Sequence, residues 1–598
     1  MAIRVSTDGA DAPPLRLPAT TMAWLAAIVL AACGGGGASP PPAPPAGDTT
    51  APTVQATSPA AGASAVAATT TISVTFSEPI DPSTLTSASF SVAVAGSAVA
   101  GSVAASGPVA TFTPAAPLAA GANVTITVST ALKDLAGNPL AAAHNWSFAT
   151  AAAAARSWSS PVPLELADGS AGQPAIAAAM DAPGGAAAVQ ATAVWVQHDG
   201  VQASIYANRL VNGVWQGASL LENDTVVGGA SAGGVSAPRV RMGAFGRAVT
   251  TWIRDNGNAS YSVWAYAHDQ PAVPTSARLI GGGGTASDPQ VAFDTDGHAA
   301  FTVWTEYDTG RPPPAFRITQ QQYLYAACDF VVNCAWDQTL FGWRGATLIE
   351  TEPEDTIAPQ VAGFGQGGAV AVWGKAQGAF GLELWGNTHS RLSGWSSPAR
   401  ISTSANRAEK QVVAAAPDGS ATAVWIESIA GRRTVLASRL GSTGWSLPLA
   451  IDDATGSQAD EPQVAVDANG NALIAWVQLA TGAWSVRARR CPPGPLSGCA
   501  AVVQIAGPAG SAELPRLAGA PSGDAMVVWL QADAAGQRGL YASAYTAAGG
   551  WSAGATLVDA GAGLAGAQVA IDKGGIATAV WSKTDAAGKP SIYASRYR

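Results

Sequence analysis

The chain has 598 residues, too many for one core, so several modules or a repeat array are expected. Only 12% of the residues are charged, the formal net charge is −9, and no Lys/Arg cluster is present to hold nucleic acid, which removes that class of partner. An apolar content of 48%, beside 67 Gly and 40 Pro, still permits a core between many turns.

Near the N-terminus, Met22 to Ala32 reads MAWLAAIVLAA, with Arg4 and Arg16 before it. The stretch is too short to cross a bilayer as a helix and fits the core of a signal peptide. No apolar run of about 18 residues follows, so no membrane-spanning helix is expected. The segment ends in Leu30-Ala31-Ala32-Cys33, which resembles the bacterial lipobox. By that resemblance residues 1–32 are a lipoprotein signal peptide and Cys33 becomes the lipidated first residue, anchored in a membrane of the cell envelope, at the outer membrane or cell surface. Residues 33–50 are rich in Gly and Pro and read as a tether, because glycine makes the stretch flexible and proline extends it.

Alternation begins at residue 51. TISVTF (Thr71 to Phe76), FSVAVAG, VATFTP and NVTITVST are short β-branched strands between Gly/Pro turns, which predicts a β-sandwich over residues 51–150. Phe76-Ser77-Glu78-Pro79-Ile80-Asp81, TFTPAAPLAAG, LKDLAGNPL (Leu132 to Leu140) and Trp146-Ser147-Phe148 resemble the bacterial Ig-like domain of surface-layer proteins. The resemblance implies a spacer or structural unit. Asp134 and Asn138 fit turn residues that bond their own backbone better than a cation site.

From residue 156 onward one phrase recurs eight times: a small-residue turn, a short apolar run, then tryptophan. It ends at Trp195, Trp252, Trp304, Trp373, Trp425, Trp476, Trp529 and Trp581, at intervals of 51 to 69 residues. Strand-like repeats near this period predict a β-propeller over residues 156–598. Each copy contains four strands. Strand A reads PQVAVD, with Lys410 and Ala567 in place of Pro in the fifth and eighth copies. Strand B is the tryptophan phrase. Strand C reads IYANR, with Arg209, Arg439, Arg490 and Arg596 in register, a recurrence that points to a structural role. Strand D reads GWSxP. The last copy lacks strand D, and an orphan strand D, Ser157-Trp158-Ser159-Ser160-Pro161, precedes the first. Together they predict eight blades and a ring closed by a shared terminal blade, which leaves no exposed edges. The fold class expected is therefore all-β, an Ig-like sandwich followed by an eight-bladed propeller. Asp-rich A–B turns such as Asp294-Thr295-Asp296-Gly297 read as hairpin turns, since none supplies the six or so oxygens calcium takes.

Cysteines occur as Cys33 alone and as two local pairs, Cys328 with Cys334 and Cys491 with Cys499. Two short disulfides in an exported protein are expected. Chemistry is harder to find. The GxSxG match at Gly229 to Gly233 lies in a small-residue loop with no strand-to-helix turn. The five histidines have no zinc spacing, and the Asp box of sialidases is not reproduced. No catalytic residue, metal or cofactor is assigned.

Strand A and strand B run oppositely, so the B–C and D–A loops share one face. Two polar rings converge there. One lies near the start of strand A: Arg239, Gln290, Gln360, Gln411, Gln463, Arg516 and Gln568. The other lies two residues after each tryptophan: Gln197, Arg254, Glu306, Lys375, Glu427, Gln478, Gln531 and Lys583. Residues two apart on a strand point the same way. The charge in the second ring varies between copies, where a purely structural ring should be uniform. A B–C loop in the third copy, Asp308 to Gln322, is expected to bring Arg311, Phe316 and Arg317 to this face. A ligand, a cell-surface glycan or protein, is expected there. The leading function is a lipid-anchored, non-catalytic binding or adhesion scaffold. The alternatives are an exported polysaccharide hydrolase or lyase, and a glycan-binding lectin.

Overall fold

The computed structural model describes residues 47–598 apart from 116–117, 120, 153–155, 166–168, 180–188, 199–201, 223–233, 269–276, 282–284, 298, 309–314, 325–341, 344, 351–353, 379–380, 405, 454–457, 481, 506–509 and 534. The signal segment, Cys33, Arg311, the GxSxG match and the Cys328/Cys334 pair lie outside the described residues. Two compact units are present, Met1–Ala155 and Arg156–Arg598. Both are all-β, with no α-helix among the described residues.

In the first unit, β1 (Val54–Ser58), β2 (Ile72–Phe76), β5 (Gly101–Ser106) and β6 (Val109–Pro114) form one antiparallel sheet, in the order β1-β2-β6-β5. A second sheet has the order β4-β3-β7-β8, from β3 (Phe90–Val94), β4 (Ser97–Ala98), β7 (Asn123–Val128) and β8 (His144–Ala149). Alternation turns Ile72, Val74 and Phe76 inward from one sheet and Val124, Ile126 and Val128 from the other, and they meet in one core. Trp146 joins that core and donates its indole N–H to the Pro59 carbonyl at 3.1 Å.

Among the described residues the second unit contains eight antiparallel sheets, each ordered A-B-C-D. The A strands are Ser170–Ala178, Val235–Met242, Ala286–Phe293, Thr356–Phe364, Ala408–Ala415, Gln458–Val466, Ala512–Gly519 and Ala565–Ile571. Successive A strands touch one another in a closed cycle, the eighth returning to the first. A strands therefore form the hub and D strands the rim. Trp158 bridges Tyr597, Ser157 and Arg598 exchange two backbone hydrogen bonds of 3.1 and 3.2 Å, and Val162–Pro163 pair with Ala594 and Tyr593. The orphan strand thus completes the eighth sheet.

Packing between sheets explains the recurring tryptophan. All eight are at most 1% exposed. Trp252 packs with Val194, Ile205 and Ala207 of the preceding sheet, Trp476 with Val424, Ile426 and Val435, and Trp581 with Val528, Leu530 and Leu540. Trp195, in the first sheet, packs with Val580, Ile592 and Ala594 of the eighth. Each such ring buries about 200 Å² of apolar surface, worth about 5 kcal/mol by area.

Every A strand is interrupted at one place. Gln173, Ala237, Asp288, Ala358, Lys410, Glu461 and Leu514 have φ between 50° and 53°, and Gly566 has 61°. Two residues there oppose one on strand B, a β-bulge in all eight sheets. Proline follows in six of them, where its missing N–H costs no ladder bond. The bulge also corrects one alignment. Lys410 does not stand in for proline; it holds the left-handed position, and Gln411 takes proline's place. Val412, paired with Val424, is then the equivalent of Arg239, paired with Thr251.

A second correction concerns the third sheet. Strand C there is Ala315–Leu324, with Phe316 paired to Tyr307 and Arg317 to Glu306. The expected loop from Asp308 to Gln322 is largely strand, because residues 315–324 pair one by one with Ala299–Asp308, although the run of three glutamines hides the strand pattern.

Candidate ligand-binding face

The ring two residues beyond each tryptophan turns inward. Where it carries Glu or Gln, that side chain accepts the tryptophan's own indole N–H: Gln197, Glu306, Glu427, Gln478 and Gln531, at 2.8 to 3.1 Å. Where it carries a cation, the charge lies over an aromatic ring on strand C. Arg254 sits 5.7 Å from Trp264, Lys375 4.4 Å from Trp385 and Lys583 5.8 Å from Tyr593. Those rings stand directly opposite Trp252, Trp373 and Trp581 across the B–C ladder. Each cation thus has an aromatic partner on strand C, which sequence reasoning missed. The aromatic alone does not select the cation, since Tyr206 and Tyr541 stand at the same place in the sheets that carry Gln197 and Gln531.

Near the start of strand A the ring is more open. Arg239 is exposed, and Gln290, Gln360, Gln463, Arg516 and Gln568 are half-buried. Ala175 and Val412 complete the register. Gln411 lies outside it, buried, donating its amide N–H to the Ala358 carbonyl of the neighbouring sheet at 2.6 Å. Two residues further along, the same side of strand A carries Ala177, Ala292, Ala362, Ala414, Ala465, Ala518 and Ala570, and in the second sheet Arg241.

Sheets five to seven carry an ionic chain at this end of the hub. Arg407 meets Glu409 at 2.9 Å, Arg433 bridges Glu409 and Asp460 at 2.9 and 3.1 Å, and Lys410 bridges Asp460 and Glu461 at 2.9 and 2.6 Å. Arg516 lies 3.7 Å from Glu461. These groups are partly exposed, so each pair contributes little to stability and the chain mainly sets the local field. Arg317, by contrast, is 2% exposed and pairs with buried Glu350 at 3.8 Å, and Phe316 packs on Tyr307 at 5.0 Å.

A further recurrence escaped the sequence reading. The residue after the last apolar position of strand D caps an N–H of strand C: Glu165 on Ile592, Glu222 on Ile205, Ser402 on Leu384. Asp452, at the same position in the fifth sheet, pairs with Arg432; burial pushes its carboxyl up to about 6, against the pull of Arg432. The recurrent strand C arginines also find carbonyls. Arg209 donates to Gly246 and Arg439 to Pro492 and Gly494, in the neighbouring sheets.

A cavity of about 240 Å³ is lined by Glu306, Tyr307, Asp308, Thr319, Thr347 and Leu348. In the first unit, Asp48, Glu78 and Asp134 place carboxylate oxygens within 4.8 Å of one another, a set that could hold a cation. Asp134 already accepts the backbone and side-chain N–H of Asn138, both at 2.8 Å. The Asp-rich A–B turns use their acids in the same way: Asp467 accepts Asn469 and Asn471 backbone N–H groups at 2.9 Å.

Residues 48–150 match the family described as bacterial Ig-like domain. No curated protein matches the chain. Among solved structures, a protein of unknown function from Dyadobacter fermentans is 11% identical, with a TM-score of 0.32, over 52% of this chain and 94% of its own. A prolyl endopeptidase structure is 12% identical, with a TM-score of 0.39, over 70% and 55%. Polysaccharide lyase Uly1 is 8% identical, with a TM-score of 0.36, over 64% and 91%. At these values none of them bears on function.

Proposed function

Starting from a bacterial Ig-like domain at residues 48–150, we propose that the chain is an exported, lipid-anchored surface protein that binds a ligand without catalysis. Residues 1–32 direct export, Cys33 carries the lipid, and residues 33–50 are the tether. The Ig-like domain acts as a spacer, as in surface-layer proteins. Residues 156–598 form an eight-bladed propeller that presents the B–C and D–A loop face. One observation carries the reading: four glutamines and two arginines stand at one register of the hub, reached by solvent. Such a ring offers convergent hydrogen-bond donors to a glycan or protein. Binding of the full-length protein to a glycan and cell-wall array tests it; no bound species on the array or on whole cells would remove the reading. For the anchor, Cys33→Ser should move the protein from membranes to the soluble fraction, and a membrane-bound variant would end that part.

A polysaccharide-active enzyme is the second reading. The cavity beside Glu306 and Asp308 favours it, since residues two apart on a strand share a side. Glu306, however, is engaged by the Trp304 indole. A lectin built on the strand B tryptophans is disfavoured, because those rings are buried between sheets.

A further inference from the structure

The hub contains one residue that breaks its own pattern. At the position where seven A strands carry alanine, the second carries Arg241. Two residues before it, on the same side of the strand, stands Arg239. Arg516 holds the register position of Arg239 in the seventh sheet, with the same local geometry: Arg239 donates to the Pro238 carbonyl at 3.2 Å, Arg516 to the Pro515 carbonyl at 2.9 Å. Arg241 donates to its neighbour, the Val240 carbonyl, at 3.1 Å.

Solvent reaches Arg239 and Arg241, and neither forms an ion pair among the described residues. Both nevertheless stand among many protein atoms at the hub, and this partial loss of hydration lowers their pKa; like charge adds to it, Arg516 acting on Arg239 and Arg239 on Arg241. The nearby carboxylates do not balance them. Glu461 lies 3.7 Å from Arg516 but 2.6 Å from Lys410, and Asp288 acts on Arg239 only from a distance. A stretch of hub otherwise lined by alanine and glutamine therefore holds three guanidinium groups, with Arg516 near enough to Arg239, and Arg239 to Arg241, for their charges to act on one another. Planar guanidinium forks are complementary to carboxylate, sulfate and phosphate.

We propose that Arg241, with Arg239 and Arg516, forms an oxyanion-binding site at the hub, which takes a carboxylate, sulfate or phosphate group. The glutamine amides of the same ring then meet neighbouring hydroxyls. This deepens the binding-scaffold reading and rests on its choice of face. It differs from that reading in naming the charge of the ligand and the residue that selects it.

Calorimetric titration of the full-length protein tests the site with three probes: oligogalacturonate, the neutral oligosaccharide of equal length, and inorganic sulfate. Oligogalacturonate or sulfate should bind, more weakly as salt rises. Arg241→Ala should weaken that binding at least tenfold. Because alanine is what the other seven sheets carry there, the variant should keep its melting temperature. Arg516→Gln, which installs the residue of four other sheets, is the second variant and should also weaken binding. Sulfate binding without oligogalacturonate binding would support the site with a free anion as its ligand. Unchanged binding in Arg241→Ala, or no binding of either anion to the parent protein, would overturn it. Equal binding of the neutral and acidic oligosaccharides, insensitive to Arg241→Ala, would overturn it too while leaving the scaffold reading intact. An anion site present without any hit on the glycan array would do the reverse.

Discussion

A single position two residues beyond each strand B tryptophan shows how one side chain is chosen by its neighbours. Glu427 accepts the buried indole N–H of Trp425 at 2.8 Å and a hydrogen bond from Ser404. Glu427→Leu should leave a buried donor unpaired and cost about 1–3 kcal/mol in urea unfolding, while Glu427→Gln should stay close to the parent. The sequence displayed this polar ring plainly, since period two puts it on the tryptophan's side. Its purpose was not legible, because period two shows which side a residue faces but not whether it meets the tryptophan's indole N–H or a ring on strand C. His268 gives a second prediction. Burial, then the Arg209 charge, pushes its pKa down to about 3, with Nε2 2.8 Å from the Thr250 hydroxyl. It stays neutral when folded but takes a proton near pH 6.5 when unfolded, so stability falls as pH drops from 6.5 toward 3. The slope contributed approaches 1.4 kcal/mol per pH unit, roughly the linkage limit for one proton. His268→Gln should flatten that part of the pH–stability curve. Asp452, raised to about 6, works oppositely: its share of stability is fully present below 3.8 and lost as pH rises through 6.

Among elements, strand B was the easiest to read and strand A the hardest. Both faces of strand B are apolar, as a strand buried between sheets requires. Strand A carries a left-handed residue in every copy, and seven of the eight are not glycine, so no residue type announces it. Proline marked the place in six sheets; where it was missing, the fifth sheet was misaligned by one residue. The close approach of A strands predicts a sensitive site. A Cβ added to Gly363 would meet the Phe293 carbonyl oxygen of the adjacent strand A. Gly363→Ala should therefore cost about 2–3 kcal/mol through forced backbone movement, read as a lower urea midpoint. Cys491 and Cys499 form the disulfide that the sequence predicts, between strand C and strand D of the sixth sheet. Replacing both with alanine should cost about 2–3 kcal/mol, since the loop it closes is short.

At the scale of the second unit, stability depends on closure. Residues 157–164 supply the rim strand of the eighth sheet, and Leu164 adds to the core between sheets eight and one. Deleting residues 156–164 should expose the edge of Pro590–Tyr597. The expected outcome is a lower melting temperature with concentration-dependent association on size-exclusion chromatography. A monomer of unchanged melting temperature would show that the seam does not hold the ring.

The seam also decides how the molecule carries force. In the sequence, the rim strand that closes the ring follows directly after the first unit, which ends at Ala155. Tension arriving from the N-terminal side while a ligand grips the hub is therefore delivered to Ser157 first. The bonds Ser157–Arg598, Ser159–Arg596 and Leu164–Ile592 lie in series along that strand and open one after another, as in a zip. Arg156, donating to the Gly575 carbonyl at 2.6 Å, is the first tooth. Pulled this way the seam should yield at low force, before any sheet is extracted, whereas pulling between two inner sheets should meet whole sandwiched strands in shear. The closing strand is then a mechanical fuse: it releases length under tension and re-zips when slack returns.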